Sequence, residues 1–299
     1  MKYRYILKEI LPPVLFRALF NRKVSEQSES SKPKQVTPTF PTYEKALVAC
    51  QGYGYEEDAL VRVVLAKTKI FQKQLLTDPS MAWTGQTTQL LFGLSLALAQ
   101  HRQTKPGHPL QVIDVGGACG AHYFTVRSFF AREVTFCWYV VETLAMAQAA
   151  HELENDELHF CSDLNIALEA CHPIDMIHSS GTIQCVQQPR ELLGDLVNFG
   201  ARFLLLSRLG VTRGQQDVIC IHQSRLSDNG PGPLPEGFQD GISRYPFSFI
   251  QLSDLDAIIG RSYRTIFRFD DNTGVFPVND EPLVGLGYLC ERIDEPRRT

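Results

Sequence analysis

The segment Asp114-Val-Gly-Gly-Ala-Cys-Gly120 sets an acid two residues ahead of a glycine pair, with a third glycine closing the run. Glycine at 116, 117 and 120 lets the backbone turn tightly and approach a ligand, and a helix starting near Ala121 offers its unpaired amides there. A dinucleotide fingerprint needs G-x-G-x-x-G with a pyrophosphate on those amides. Here Ala118 breaks the pattern, and Asp114 would repel phosphate. A sulfonium nucleoside with a cationic amino-acid end, S-adenosylmethionine, suits the acid. Glu142 follows the apolar run Tyr139-Val-Val141, at the depth where one carboxylate accepts both hydrogen bonds of a ribose diol. Dinucleotide enzymes use the same position, so Glu142 gains its meaning from the Asp114 loop.

Two further rims belong to the same ligand. Ser162-Asp163 follows the third apolar run, where a side-chain acceptor can meet an adenine amino group; capping of the next helix is the equal alternative. The fourth run passes into His178-Ser-Ser-Gly-Thr-Ile-Gln184, a small polar turn where Ser180 and Thr182 either cap a helix or face the methyl end of the cofactor. Methyl transfer is an in-line displacement, so catalysis depends chiefly on holding the nucleophile ~3–3.5 Å from the carbon. A hydroxyl nucleophile also needs a base, and His122, His178 and His222 all fall near expected strand ends. A lone histidine is more often structural than basic. Arg208, just past the fifth strand, can fork onto a carboxylate or phosphate of the acceptor, or bridge loops at the surface.

Behind these residues stands an alternation of short apolar runs and helical stretches: Leu110–Val115, Val134–Val141, Leu158–Cys161, Ile174–Ile177 and Phe203–Ser207. Such alternation predicts a parallel sheet covered on both faces. A helix over Ser253–Ile259 and strands over Tyr263–Phe269 and Val284–Cys290 complete an α/β, Rossmann-like sheet of seven strands, mostly parallel and closed by an antiparallel terminal hairpin. Helical periodicity over 43–50, 56–73 and 86–101 makes residues 42–105 a helical region ahead of a cofactor-binding domain over 106–299, with an insertion over 208–252. Within the insertion, the Pro- and Gly-rich Asp228–Gly241 reads as a long loop over the ligand face. Residues 1–23 form a basic amphipathic segment, either packed on its own protein or lying on anionic lipid, and 24–41 have the composition of a flexible linker.

The totals narrow the function. The chain has 299 residues, and 29 Lys and Arg against 33 Asp and Glu leave a net charge of −4, without the positive field that draws in a nucleic-acid backbone. Eight cysteines lie scattered among apolar neighbours, as reduced thiols in a cytoplasm do, and no CxxC or HExxH grouping gives metal spacing. No run is long and apolar enough to span a bilayer, so the expected place is the cytoplasm, at most peripheral to the inner membrane surface.

In several stretches the residues resemble the class I methyltransferases found among bacterial surface-polysaccharide biosynthesis genes. These are Leu11-Pro-Pro13, Tyr43-Glu-Lys-Ala46, Cys50-Gln-Gly-Tyr53, Asp114–Phe124, Ser180-Gly-Thr-Ile-Gln184, Ser207-Arg208 and Tyr245-Pro-Phe247. The resemblance implies a methyltransferase that uses S-adenosylmethionine on a sugar or a sugar-containing precursor, a small-molecule or glycan acceptor. Two positions depart from the pattern: Ala118 replaces the middle glycine of the loop, and Ser207 stands where an acid before the arginine is expected. A non-catalytic cofactor sensor or assembly partner is the leading alternative, and a nicotinamide-dependent oxidoreductase or epimerase is disfavoured by Asp114 and Ala118.

Overall fold

The computed structural model describes residues 37–51, 57–271 and 275–293. The amphipathic segment, residues 24–36 of the linker, Leu11-Pro-Pro13 and the Gly52-Tyr53 end of another motif lie outside them.

A two-residue strand β1 (Thr39–Phe40) precedes three helices, α1 (Tyr43–Cys50), α2 (Asp58–Leu75) and α3 (Gly85–Thr104). Threonine starts two of them: the hydroxyl of Thr42 accepts from the Lys45 amide, and that of Thr84 from the Thr87 amide. The sheet then alternates with helices as the patterning predicts: β2 (Leu110–Val115), α4 (Ala121–Phe129), β3 (Phe136–Val141), α5 (Leu144–Ala150), β4 (Leu158–Cys161), α6 (Leu164–Ala170), β5 (Met176–Ser180) and α7 (Pro189–Asn198). It continues with β6 (Phe203–Thr212), β7 (Val218–Arg225), β8 (Ile242–Gln251), α8 (Leu252–Ile259), β9 (Tyr263–Asp270) and β10 (Leu283–Arg292).

Seven of these strands lie in the order β4-β3-β2-β5-β6-β10-β9, with β10 antiparallel to both its neighbours and the other pairings parallel. That is the class I methyltransferase arrangement, a Rossmann-like sheet whose strand order reverses between β2 and β5. Alternation along β2 divides the core. Leu110 and Val112 pack with α2, α3, α4 and α5, while Ile113 and Val115 pack with α6, α7 and α8. Asp114 therefore points to the α2–α5 side.

The sheet has ten strands, three more than the sequence pattern predicts. Two arise in the insertion, where β7 and β8 pair antiparallel around a small core of Val218, Cys220, Tyr245, Phe247, Phe249 and Val278. Pro246 hides this pairing in the sequence, because a proline donates no ladder hydrogen bond and argues against a strand. Similarly, β6 runs on to Thr212 rather than ending at Ser207, since Arg208 and Gly210 interrupt its apolar run without ending its pairing to β10. One edge of β6 is shared: β5 pairs residues 203–207 and β8 pairs Val211 and Thr212, leaving a notch at Arg208. No helix among the described residues is long and apolar enough to cross a membrane.

Candidate active site

Where the strand order reverses, ligands collect beyond the carboxyl ends of the strands. A cavity of about 240 Å³ lies there, lined by Gly116, Ala118, Glu142, Ser180, Thr182 and Arg208 among others. A wider hollow of about 610 Å³ lies at the opposite ends of the strands, around His101, Lys105, Asp175 and Arg202, remote from the glycine loop.

The loop is shaped by positive backbone angles at Gly116 (φ 75°), Ala118 (φ 51°) and Gly120 (φ 79°). A side chain at Gly116 would run into Thr182, and one at Gly117 into the Asp114 carboxylate. Ala118 holds a left-handed conformation that costs an L-residue roughly 1–2 kcal/mol, which explains why glycine is the residue expected there. Glu142 directly follows β3 and stands on the cavity wall. Its Oε1 accepts from the Ala118 amide and its Oε2 from the Thr143 amide, both at 2.9 Å. Burial raises its carboxyl above the usual range, with those two amides opposing the shift.

Asp114 behaves differently from the sequence expectation. It is 0 % exposed and offers no atom to the cavity; its Oδ1 lies 2.9 Å from Nδ1 of His178, and its Oδ2 lies 3.0 Å from Nδ1 of His122. The two rings meet edge to face, with centroids 4.7 Å apart. Burial alone would raise the Asp114 carboxyl, but the two imidazoles outweigh it and hold the group well below the carboxylate range. Burial lowers His178, against the pull of the Asp114 charge. Among the described residues this is the one grouping of His, Cys, Asp and Glu whose atoms converge as metal ligands would, within 4.8 Å. Each carboxylate oxygen already faces one imidazole nitrogen.

Arg208 stands in the notch with φ 52°. Its Nε donates to Ser180 Oγ at 2.9 Å and its Nη2 to the Ser180 carbonyl at 2.8 Å, so the guanidinium lies over Gly181. Ser207, in the place of the expected acid, donates to Ser180 Oγ, while the Asp271 carboxylate accepts from the Arg208 amide.

Three expected residues stand apart. Asp163 accepts from the Asn165 amide and caps α6, as the capping alternative has it, and neither it nor Ser162 lines the cavity. His222 sits on β7 with Nδ1 2.6 Å from the Tyr245 hydroxyl and its ring among Tyr245, Phe247 and Phe276, a packing position that burial makes less basic. The loop expected over the ligand face supplies the roof of the cavity with its first residues, and what sequence reading missed is the side chain that fixes it. Asp228, Asn229 and Gly230 close the cavity over Val64 of α2. Lys67 fixes them there, donating to the carbonyls of Ser227 (2.7 Å) and Asn229 (2.6 Å). A lysine on an amphipathic helix reads as solvated, so its sequence gave no signal.

No protein-family model matches the chain, and no curated protein is significantly similar to it. Among solved structures it is similar to a S-adenosylmethionine-dependent methyltransferase from Clostridium acetobutylicum ATCC 824, with 9% identity over 75% of this chain and 96% of that one at a TM-score of 0.40. It is similar to magnesium protoporphyrin IX methyltransferase from Synechocystis PCC 6803 with bound SAM, with 10% identity over 70% and 80% at 0.40. CalS10, an amino pentose methyltransferase from Micromonospora echinaspora, shares 13% identity over 67% and 90% at 0.39. Likenesses this remote add nothing to the strand order, which establishes the fold by itself.

Proposed function

We propose that this chain binds S-adenosylmethionine and transfers a methyl group to a small acceptor that carries a sugar. Glu142 is the observation that carries the reading. Its carboxylate lines the cavity beside Gly116 and Ala118, at the strand end where a ribose diol is gripped. Two backbone amides fix its plane, and each oxygen keeps a second lone pair for a hydroxyl donor. Gly116 lines the same cavity, and its lack of a side chain lets Thr182 pack against the loop at the rim. When bound, the cofactor supplies an electrophilic methyl group on a sulfonium. The chain's own residues then orient and enclose: Thr143 and Met146 continue the Glu142 wall, and Ser180 and Thr182 shape the far rim.

Arg208 supports an anionic acceptor, such as a nucleotide sugar or sugar acid. Ser180 takes its Nε and Nη2, and Nη1 has no partner among the described residues. The resemblance to polysaccharide-cluster methyltransferases points to the same class.

Calorimetry with S-adenosylmethionine, S-adenosylhomocysteine and NAD tests the cofactor. Micromolar binding of the first two, lost in Glu142→Ala, is the expected result; binding of NAD alone overturns the proposal. Labelled cofactor with nucleotide sugars tests the acceptor. Label in a compound without a sugar overturns that part, and cofactor binding with no transfer to any host compound favours a non-catalytic module.

A further inference from the structure

We infer that His122 is the general base of this site, positioned by Asp114, and that it takes its proton from a hydroxyl of the acceptor. The inference rests on the methyl-transfer reading and deepens it.

Three elements converge on one carboxylate: the end of β2 brings Asp114, the first turn of α4 brings His122, and the end of β5 brings His178. An ionised carboxylate only accepts hydrogen bonds, so each Nδ1 facing it carries the proton. Both rings are thereby set as the tautomer whose Nε2 has a free lone pair, and no described residue bonds to either Nε2. Exposure separates the two. The side chain of His178 is 3 % exposed and that of Asp114 0 %, whereas that of His122 is 30 % exposed. Only His122 can hand a proton to and from an incoming molecule. His178 donates to the other carboxylate oxygen, so that both oxygens of the buried charge accept a hydrogen bond.

None of the three is among the residues that line the cavity, but the chain carries each of them next to its glycine loop or its rim. Asp114 and His178 each lie two residues ahead of a lining residue, Gly116 and Ser180, and His122 follows the loop's last glycine by two. On the sugar acceptor of the methyl-transfer reading, a base has a definite use: a hydroxyl must lose its proton as it attacks. In the step, the acceptor O–H bond breaks and its proton passes to Nε2 of His122. The oxygen forms a bond to the methyl carbon, the carbon–sulfur bond breaks, and its electron pair stays on sulfur. The imidazolium so formed is paired with the Asp114 carboxylate.

Nitrogen-15 spectra of the histidine-labelled full chain test the arrangement without any ligand, with His122→Gln and His178→Gln identifying the two rings. The expected result is Nδ1–H with a bare Nε2 at both, with the preference lost in Asp114→Asn. An Nε2–H ring at His122 overturns the inference, as does stoichiometric binding of Zn²⁺ or Mn²⁺ that shifts both rings, which would make the cluster a metal site. Should Asp114→Asn fail to fold, His122→Gln decides. It is expected to bind S-adenosylhomocysteine within twofold of the parent while turnover falls ~10²–10⁴-fold. Unchanged turnover, or label on a nitrogen or carbon of the acceptor, overturns the inference. A parent chain that binds no S-adenosylhomocysteine sinks the methyltransferase reading instead, and the tautomers remain readable on their own.

Discussion

Nζ of Lys67, on a side chain only 1 % exposed, donates to the carbonyl oxygen of Asn229 at 2.6 Å and so ties helix α2 to the long connection after β7. The tie keeps Asn229 and Gly230 over a cavity smaller than the ~300–1,000 Å³ usual for ligand pockets. A whole nucleoside with its amino-acid tail needs that roof to give.

Replacing Lys67 by Met removes the donor and leaves two carbonyls poorly satisfied. The expected cost is about 1–3 kcal/mol in denaturant unfolding. Association and dissociation of S-adenosylhomocysteine are both expected to quicken in stopped-flow measurements, and cleavage within 228–241 by a protease to become faster. Unaltered kinetics would show that the roof does not gate the cavity.

Ala118→Gly relieves the positive φ at the cofactor loop and is expected to raise stability by about 1 kcal/mol, offset in part by the added freedom of glycine in the unfolded chain. Ala118→Val is expected to lower it, since a β-branched residue tolerates that conformation least. Paired thermal melts read both.

Glu142→Gln keeps the shape of the side chain but loses the charge-assisted acceptors. Affinity for S-adenosylhomocysteine is expected to fall about tenfold, or ~1.4 kcal/mol. Because burial raises the Glu142 carboxyl, affinity in the parent chain is expected to weaken on acidification at a higher pH than an ordinary glutamate would give. Calorimetry between neutral pH and pH ~5 measures it, against the glutamate reference of ~4.3.

Stability itself is expected to depend on pH through two separate histidines and through Asp114. His178 and His222 are held below the ordinary imidazole value by burial, so the unfolded chain binds protons more readily than the fold as pH drops below ~6.5, and stability declines. Asp114 acts lower down. Its depressed carboxyl contributes stability that is fully present above ~3.9 and is lost as pH falls toward its folded value. Melting temperatures followed from pH 7 downward should therefore drop first in the imidazole range, and His178→Gln with His222→Gln should flatten that first decline.

Much of this was legible in the sequence because it is local. The Asp114 loop, Leu110–Val115, Leu158–Cys161 and Tyr43–Cys50 announce themselves within a few residues, and their bounds agree with the structure. What a side chain meets across the fold was less legible. Asp114 promised a cation and instead found two imidazoles, one of them 64 residues away. His222 has the same local context as His178, a polar residue at the end of an apolar run, yet the pairing of β7 with β8 places it among aromatic rings. Ser162-Asp163 left capping and binding open because both need an acceptor at a strand end, and β4 ends at the outer edge of the sheet.

The shared edge of β6 has a mechanical consequence. Residues 203–212 serve as one rail, with the core strands bearing on its first half and the inserted hairpin on its second, and Arg208 standing at the joint. A hairpin carried on a loop can drift without disturbing what lies beneath it. One carried on this rail shares its backbone with Arg208, three residues from Val211, so that a shift of the hairpin along β6 is expected to be felt at the guanidinium.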